Sequence, residues 1–214
     1  MRHLIFLGLI FLLSSCKGQD LFEGEIKYKL SFSPEDAKID TILLKDYYGS
    51  QWTFLFKNGN FRWNMESSDT WIGNVYDQDE NKYYYLIKNS EVASWKKGTQ
   101  KTDSISSIRT ENVKINILGH ACQLLEVKSR LLTNNVLRTR RYYYSPDLKI
   151  NPEWFVENQD GNLNEIYSRM KAIPLKIVDD FGTFSITYQA TDIIPKRLND
   201  FYFEVKAEHL VEVK

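Results

Sequence analysis

The segment QWTFLFKNGNFRWNM, residues 51–65, constrains the fold more than any other part of the chain. Its central Asn58-Gly59 favours a type I′ turn, because both central residues of that turn need positive φ. A two-residue loop also fixes the register of the two strands. It predicts three facing pairs: Trp52 with Met65, Phe54 with Trp63, and Phe56 with Phe61. All six side chains then lie on one side of the hairpin and form a broad apolar surface.

Alternating apolar and polar residues are found in other parts of the chain as well. In residues 22–32, FEGEIKYKLSF, the apolar side chains fall on even positions, with charged or polar residues between most of them. A period of two is typical of a strand with one apolar face and one solvated face. Similar segments recur at short spacing as far as residues 183–193. This spacing predicts a single large antiparallel sheet that curves.

One stretch has the features of a helix. Asn151, followed by a proline, suits an N-cap and predicts helical structure in residues 152–171, which Gly161 is expected to interrupt. Residues 100–107 are polar and predict a loop, while residues 201–205 predict the last strand. The fold predicted from the sequence is therefore mainly β, with one or two short helices beside a large curved antiparallel sheet.

The start of the chain forms a unit of its own. Arg2-His3 precedes the ten-residue apolar run LIFLGLIFLL and two serines. This order is typical of a secretory signal peptide, and ten helical residues rise only about 15 Å, which is too short for a bilayer core. The alternative is a core helix of a cytosolic protein, but the run has no polar face.

The residues that follow the apolar run carry a more specific signal. Leu13-Ser14-Ser15-Cys16 resembles the bacterial lipobox, which implies that residues 1–15 are a lipoprotein signal peptide and that the Cys16 thiol carries a lipid. Residues 16–21 are then the lipidated cysteine and a short tether, and residues 22–214 are a single β-rich domain. Since the sequence has two cysteines, Cys122 would be left without an intramolecular disulfide partner.

Charge and residue clusters argue against several classes of function. The chain has 28 basic and 28 acidic residues, so no nucleic-acid partner is expected. His120 and Cys122 fall on one face of a predicted strand, as a nucleophile pair or two metal ligands would. A metal site at these two residues would lack further ligands, because His209 is the one other histidine after the signal segment. A small buried Cys122 is therefore the favoured interpretation. We expect no catalytic residues, no metal site and no cofactor, and hence not an enzyme.

A basic cluster, Arg138, Arg140 and Arg141, directly precedes three tyrosines, residues 142–144. Basic side chains interleaved with aromatic rings suit a phosphate or a glycan. A solvated strand face is the interpretation that the sequence favours.

Four segments resemble one family. LFEGEIKYKL (21–30), INILGHACQLLEV (115–127), YYYSPDLKINPEWF (142–155) and AIPLKIV (172–178) are similar to segments of Bacteroidetes-type secreted lipoproteins of unknown function. Related GLPGLI-like families carry Gly-Leu-Pro-Gly-Leu at the last segment. The resemblance implies a fold like that of the LolA/LolB-type lipoprotein carriers, an open half-barrel wrapped on helices around an apolar concavity. It implies no catalytic residues.

Together these features predict a cell-envelope lipoprotein that is anchored to a membrane, more specifically the outer membrane, through lipid on Cys16. We expect the concave face of the sheet to bind a lipid, an acyl chain or another apolar ligand. The expected ligand-binding residues are those of the hairpin face: Trp52, Phe54, Phe56, Phe61, Trp63 and Met65. The alternative is an envelope interaction or structural protein with a closed core, which takes a protein partner and no small ligand.

Overall fold

The computed structural model describes residues 21–213, except for residues 37, 67 and 69. The predicted signal peptide, residues 1–15, and the predicted lipidation site, Cys16, lie outside the described residues. The same holds for all of the predicted tether but its last residue.

Most of the described chain is strand. The strands are β1 (Gly24–Pro34), β2 (Gln51–Lys57), β3 (Asn60–Glu66), β4 (Trp71–Asp77), β5 (Lys82–Ile87), β6 (Val92–Lys97), β7 (Asp103–Ile117), β8 (His120–Leu131), β9 (Leu137–Lys149), β10 (Ala172–Asp180), β11 (Phe184–Pro195) and β12 (His209–Glu212). In β1, Ile26, Tyr28 and Leu30 are buried while the residues between them are partly or fully exposed, as the period of two predicts.

All of these strands belong to one sheet, in the order β12-β6-β5-β4-β3-β2-β1-β11-β10-β9-β8-β7. Neighbouring strands are antiparallel, except that β12 runs parallel to β6. Two meanders, β1 to β6 and β7 to β11, are joined where β1 pairs with β11. The sheet stays open, with β12 and β7 as its edges in the described part of the chain. The predicted mainly β fold with a large open antiparallel sheet is confirmed.

Two α-helices are seen among the described residues, α1 (Thr41–Tyr48) and α2 (Leu163–Met170). The predicted helix in residues 152–171 is in fact two 3₁₀ turns, Pro152–Phe155 and Asp160–Asn162, followed by α2. Asn151 is the predicted N-cap, and its side chain accepts a hydrogen bond from the backbone N–H of Glu153. Gly161 has φ of 57°, which breaks the helix as expected.

The hairpin of β2 and β3 has the predicted register. Trp52 pairs with Met65, Phe54 with Trp63, and Phe56 with Phe61. Asn58 and Gly59 have φ of 48° and 85°, the positive values that the turn requires.

Two local predictions are wrong. Residues 100–107 were expected to form a loop, but β7 begins at Asp103. This edge strand is mostly exposed and is held by backbone pairing with β8, so its polar sequence carries little of the two-residue period. Residues 201–205 were expected to form the last strand. They contain the end of a 3₁₀ turn, Asp200–Phe203, which the Asn199 side chain caps, and the last described strand is β12.

Candidate functional site

A cavity of about 240 Å³ lies between α2 and the inner face of the sheet. Its walls come from β1 to β5 on one arm of the sheet and from β9 and β10 on the other arm. Strands this far apart in the sheet order line one cavity only because the sheet curves. The lining consists of Tyr28, Phe54, Phe61, Trp63, Asn74, Tyr83, Tyr85, Arg140, Tyr142, Asp160, Gly161, Leu163, Ile166, Tyr167, Met170, Ile173, Pro174 and Ile177.

Three of the six predicted ligand-binding residues line this cavity. The ring centroid of Phe54 lies 4.3 Å from that of Trp63 and 5.7 Å from that of Phe61. The ring of Tyr28 on β1 continues the wall, 5.3 Å from Trp63. Offset and tilted rings at these separations pack favourably and leave apolar edges and faces towards the cavity.

The other three predicted residues lie outside the cavity lining. Phe56 is fully buried and packs against Trp154 and Phe155, in the first 3₁₀ turn. Trp52 is half-buried, and its Nε1 donates a hydrogen bond of 2.6 Å to the carbonyl oxygen of Tyr48 at the end of α1. Met65 is half-buried opposite Trp52. The apolar face of the hairpin is therefore divided. Phe56 packs in the core, Trp52 and Met65 lie half-buried at the open end, and the other three residues line the cavity.

Helix α2 covers the cavity with one apolar stripe. Leu163, Ile166, Tyr167 and Met170 follow the spacing of a single helical face, and all four line the cavity. The Tyr167 ring also stacks on Phe155, with centroids 4.4 Å apart.

Polar contacts fix the chain at the start of α2 against the sheet. The Oδ1 of Asp160 accepts hydrogen bonds from Lys96 Nζ at 2.8 Å and from Thr102 Oγ1 at 2.9 Å. Two residues later, Asn162 Nδ2 donates to the carbonyl oxygen and the Oδ1 of Asp103, at 3.1 and 3.0 Å. These bonds connect the cover of the cavity to β6 and to the start of β7.

The inner face of β9 brings charge to the cavity. Arg140 lines the cavity, donates from Nη1 to the Tyr142 hydroxyl at 3.3 Å and forms an ion pair with Asp179 on β10. Arg138 donates to Asp103 at 2.6 Å. Burial alone would lower the pKa of Arg140, but the carboxylate of Asp179 and the neighbouring Tyr142 outweigh it and hold that pKa above its ordinary value.

The prediction of a solvated arginine cluster is wrong for two of its members. The Arg138 side chain is 11% exposed, and Arg140 faces the cavity. Arg141 points to the opposite face, where it pairs with Glu126 at 2.9 Å. The signal was present in the sequence, because residues 138 and 140 share the parity of the apolar face that continues with Tyr142.

The tyrosine hydroxyls around the cavity stay protonated. Burial raises the pKa of Tyr28, Tyr83, Tyr142 and Tyr167. Tyr28 donates a hydrogen bond of 2.6 Å to the carbonyl oxygen of Pro174. The walls therefore offer rings and neutral hydroxyls, and their ionised groups are paired acids and bases.

His120 and Cys122 lie away from the cavity lining. Burial raises the pKa of the Cys122 thiol, which disfavours the thiolate that a nucleophile or a metal ligand needs. The thiol is 3.5 Å from the carbonyl oxygen of His120, whereas His120 Nδ1 lies 3.0 Å from Asp147 Oδ2. These positions agree with Cys122 as a small buried residue.

Two further features concern metal ions and membrane-spanning helices. In the part of the chain that the structure describes, no group of three or more His, Cys, Asp and Glu side chains is arranged to hold a metal ion. None of the described helices is long and apolar enough to cross a membrane.

The chain matches no protein-family model, and a search of curated proteins gives no match. The resemblance to Bacteroidetes-type lipoproteins and to LolA/LolB-type carriers stays a prediction.

Proposed function

We propose that this protein binds an apolar or amphiphilic small molecule in the cavity between α2 and the curved sheet. The observation that carries the proposal is the cavity itself, which is walled by Tyr28, Phe54, Phe61 and Trp63 on one side and by α2 on the other. A sheet with an apolar face must cover it with a helix, a second sheet or a ligand. Here the short α2 leaves a space of about 240 Å³.

The size and lining of the cavity suit a single ring system or a medium-length acyl chain. An apolar cavity of about 150 Å³ already takes up benzene. Ligand sites are typically concave and mostly apolar, with a few convergent polar groups. Arg140, Asn74 and Asp160 are such groups in a lining that is mostly aromatic and aliphatic.

The proposal includes attachment to a membrane of the cell envelope through lipid on Cys16. Phe22 is buried, and its N–H donates a hydrogen bond of 2.7 Å to the carbonyl oxygen of Lys149, so the folded body begins within a few residues of the predicted lipidation site. A six-residue tether spans at most about 20 Å. The cavity would therefore be held close to the membrane from which an apolar ligand would come.

Filling the cavity is expected to weaken ligand binding strongly. Ile177 is half-buried and lines the cavity on β10, so Ile177→Trp places an indole in the space that a ligand would use. Binding is measured by titrating the purified domain, residues 21–214, with the neutral fluorescent probe N-phenyl-1-naphthylamine. We expect Ile177→Trp to weaken probe binding at least about tenfold, because an indole occupies much of so small a cavity.

The matched control is Ile108→Trp. Ile108 is also a half-buried isoleucine that packs against the core, but it lies on β7, outside the cavity lining. It should leave probe binding unchanged. Equal loss in both variants, or probe binding that survives Ile177→Trp in the folded protein, would place the binding elsewhere.

A specific feature favours a second function. Ile42 and Leu43 of α1 are 69% and 67% exposed, and α1 has no buried residue. Exposed apolar residues on one short helix suit contact with an envelope protein. If the folded parent domain binds no probe at all, this interaction function becomes the better account.

The anchor is tested by a change at the predicted lipidation site. In Cys16→Ser the thiol that would receive the lipid is replaced by a hydroxyl, which is a far weaker nucleophile. Cells that express the full chain and are fed radiolabelled palmitate should therefore show label in the parent protein and none in Cys16→Ser. Equal labelling of the two forms would contradict lipidation at Cys16, and Cys122→Ser serves as the control that should keep the label.

A further inference from the structure

Four buried side-chain atoms have no hydrogen-bond partner among the described residues: Asn74 Oδ1, Arg138 Nε, Arg140 Nε and Asp179 Oδ1. Two of them face each other, because Arg138 Nε lies 3.6 Å from Asp179 Oδ1 within an ion pair. That contact is slightly long for a hydrogen bond, but it leaves neither atom electrostatically alone. The other two atoms, on Asn74 and Arg140, have no such explanation.

Both of the remaining atoms belong to residues that line the cavity. On Arg140, Nη1 binds the Tyr142 hydroxyl and Nη2 binds Asp179, which leaves the Nε–H as a free donor. On Asn74, Oδ1 is a free acceptor. Asn74 pairs with Trp63 on one arm of the sheet, and Arg140 lies on the other arm. These two cavity-lining residues therefore carry one unmet donor and one unmet acceptor.

The charges around the cavity are already balanced. Three cations, Arg138, Arg140 and Lys96, are paired with three anions, Asp103, Asp179 and Asp160. A ligand that brought a carboxylate or an ammonium into this site would add a buried charge without a counter-charge, which is strongly unfavourable. A neutral group that both accepts and donates hydrogen bonds satisfies both atoms without that cost.

We propose that the ligand is a neutral amphiphile, such as a fatty amide or a fatty alcohol, and that its polar end lies between Arg140 and Asn74. The apolar tail then contacts the rings of Phe54 and Trp63 and the apolar face of α2. This inference rests on the proposed function, since it names the chemical class of the ligand for that same cavity.

The test uses three amphiphiles of one chain length as competitors against N-phenyl-1-naphthylamine. Octanamide accepts and donates hydrogen bonds, methyl octanoate only accepts them, and octanoate is an anion. The parent domain should bind octanamide more tightly than octanoate. In Asn74→Leu, which removes the acceptor Oδ1 and keeps a similar shape, the affinity ratio of octanamide to methyl octanoate should fall about tenfold.

Two further variants complete the test. Arg140→Lys keeps a positive charge beside Asp179 but lacks the Nε–H, so it should weaken octanamide and methyl octanoate alike, and it decides the matter if Asn74→Leu fails to fold. Asn64→Leu is the control, because Asn64 is on the other face of the neighbouring strand and pairs with Gly73. It should leave the ratio unchanged.

Three outcomes would overturn the inference. Tighter binding of octanoate than of octanamide would make the ligand an anion. An unchanged ratio in Asn74→Leu, together with unchanged binding in Arg140→Lys, would mean that water satisfies both atoms. Failure of N-phenyl-1-naphthylamine itself to bind the parent domain would instead overturn the proposed function, so the two failures are distinguishable.

Discussion

Asp179→Ala is expected to lower the free energy of unfolding by about 3–5 kcal/mol, since removing one partner of a buried ion pair leaves an uncompensated charge. Asp179 is 4% exposed and forms ion pairs with both Arg138 and Arg140. Arg140 lies directly opposite it in the register of β9 and β10. Alanine would leave two guanidinium groups, both mostly buried, with one carboxylate, that of Asp103.

The matched control is the next residue along the strand. Asp180 faces the other side of the sheet, where it lies 3.8 Å from Arg141 and accepts a hydrogen bond from the backbone N–H of Gly182. Because this carboxylate is partly exposed, we expect Asp180→Ala to cost about 1 kcal/mol or less. Urea denaturation followed by circular dichroism measures both variants.

A double variant separates loss of charge balance from loss of packing. In Arg140→Met with Asp179→Leu, the cross-strand ion pair becomes a cross-strand apolar pair, and replacements of this kind are often neutral or stabilising. We expect it to recover most of the stability that Asp179→Ala loses. If Asp179→Ala is no more destabilising than Asp180→Ala, the buried pairs contribute little to the fold.

The parts of the fold that the sequence predicted well depend on local chemistry. Asn58-Gly59 can form few turns other than type I′ between two alternating segments, so the register of β2 and β3 followed directly. Asn151 and Gly161 marked the start and the break of the helical stretch for the same reason, since capping and positive φ are properties of single residues.

The parts that the sequence did not predict depend on tertiary contacts. Strand β7 is stabilised by pairing with β8 rather than by an apolar face of its own, so its polar start at Asp103 looked like a loop. Helix α1 was not predicted because it has only about two turns and none of its residues is buried, although the Asp40 side chain caps it by accepting a hydrogen bond from the Ile42 N–H.

The candidate site was predicted only in part, because some of its features also depend on tertiary contacts. The hairpin register placed Phe54, Phe61 and Trp63 on the correct face, and these residues line the cavity. The sequence held no information on where residues 152–155 and α2 would dock, so Phe56 could not be assigned to the core beneath Phe155. The inward position of Arg140 becomes meaningful only with Asp179 opposite it, 39 residues further along the chain.

Gly73→Ala is expected to destabilise the protein by about 3 kcal/mol, because a methyl group must fit where backbone atoms already lie. A Cβ at Gly73 would lie 1.8 Å from the carbonyl oxygen of Trp63 and 3.2 Å from the Cα of Asn64. Both contacts are with the backbone of β3, which cannot rotate away as a side chain can. Relief requires β4 to move away from β3 beside Asn74 and Trp63, so the affinity for N-phenyl-1-naphthylamine should fall as well.

Gly119→Ala is the control for the steric part of this effect, because it carries the conformational cost without the clash. Gly119 has φ of 87°, and an added Cβ would have no neighbouring atom within 4 Å, so we expect only the conformational cost of a left-handed residue, about 1 kcal/mol. Urea denaturation compares the stability of the two variants, and the fluorescent probe compares their cavities. Gly119→Ala should keep full probe binding because its turn, between β7 and β8, contributes no residue to the cavity lining. If the two substitutions destabilise the protein equally, β4 moves away from β3 beside Trp63 at little cost in free energy. This wall of the cavity would then be deformable rather than rigid.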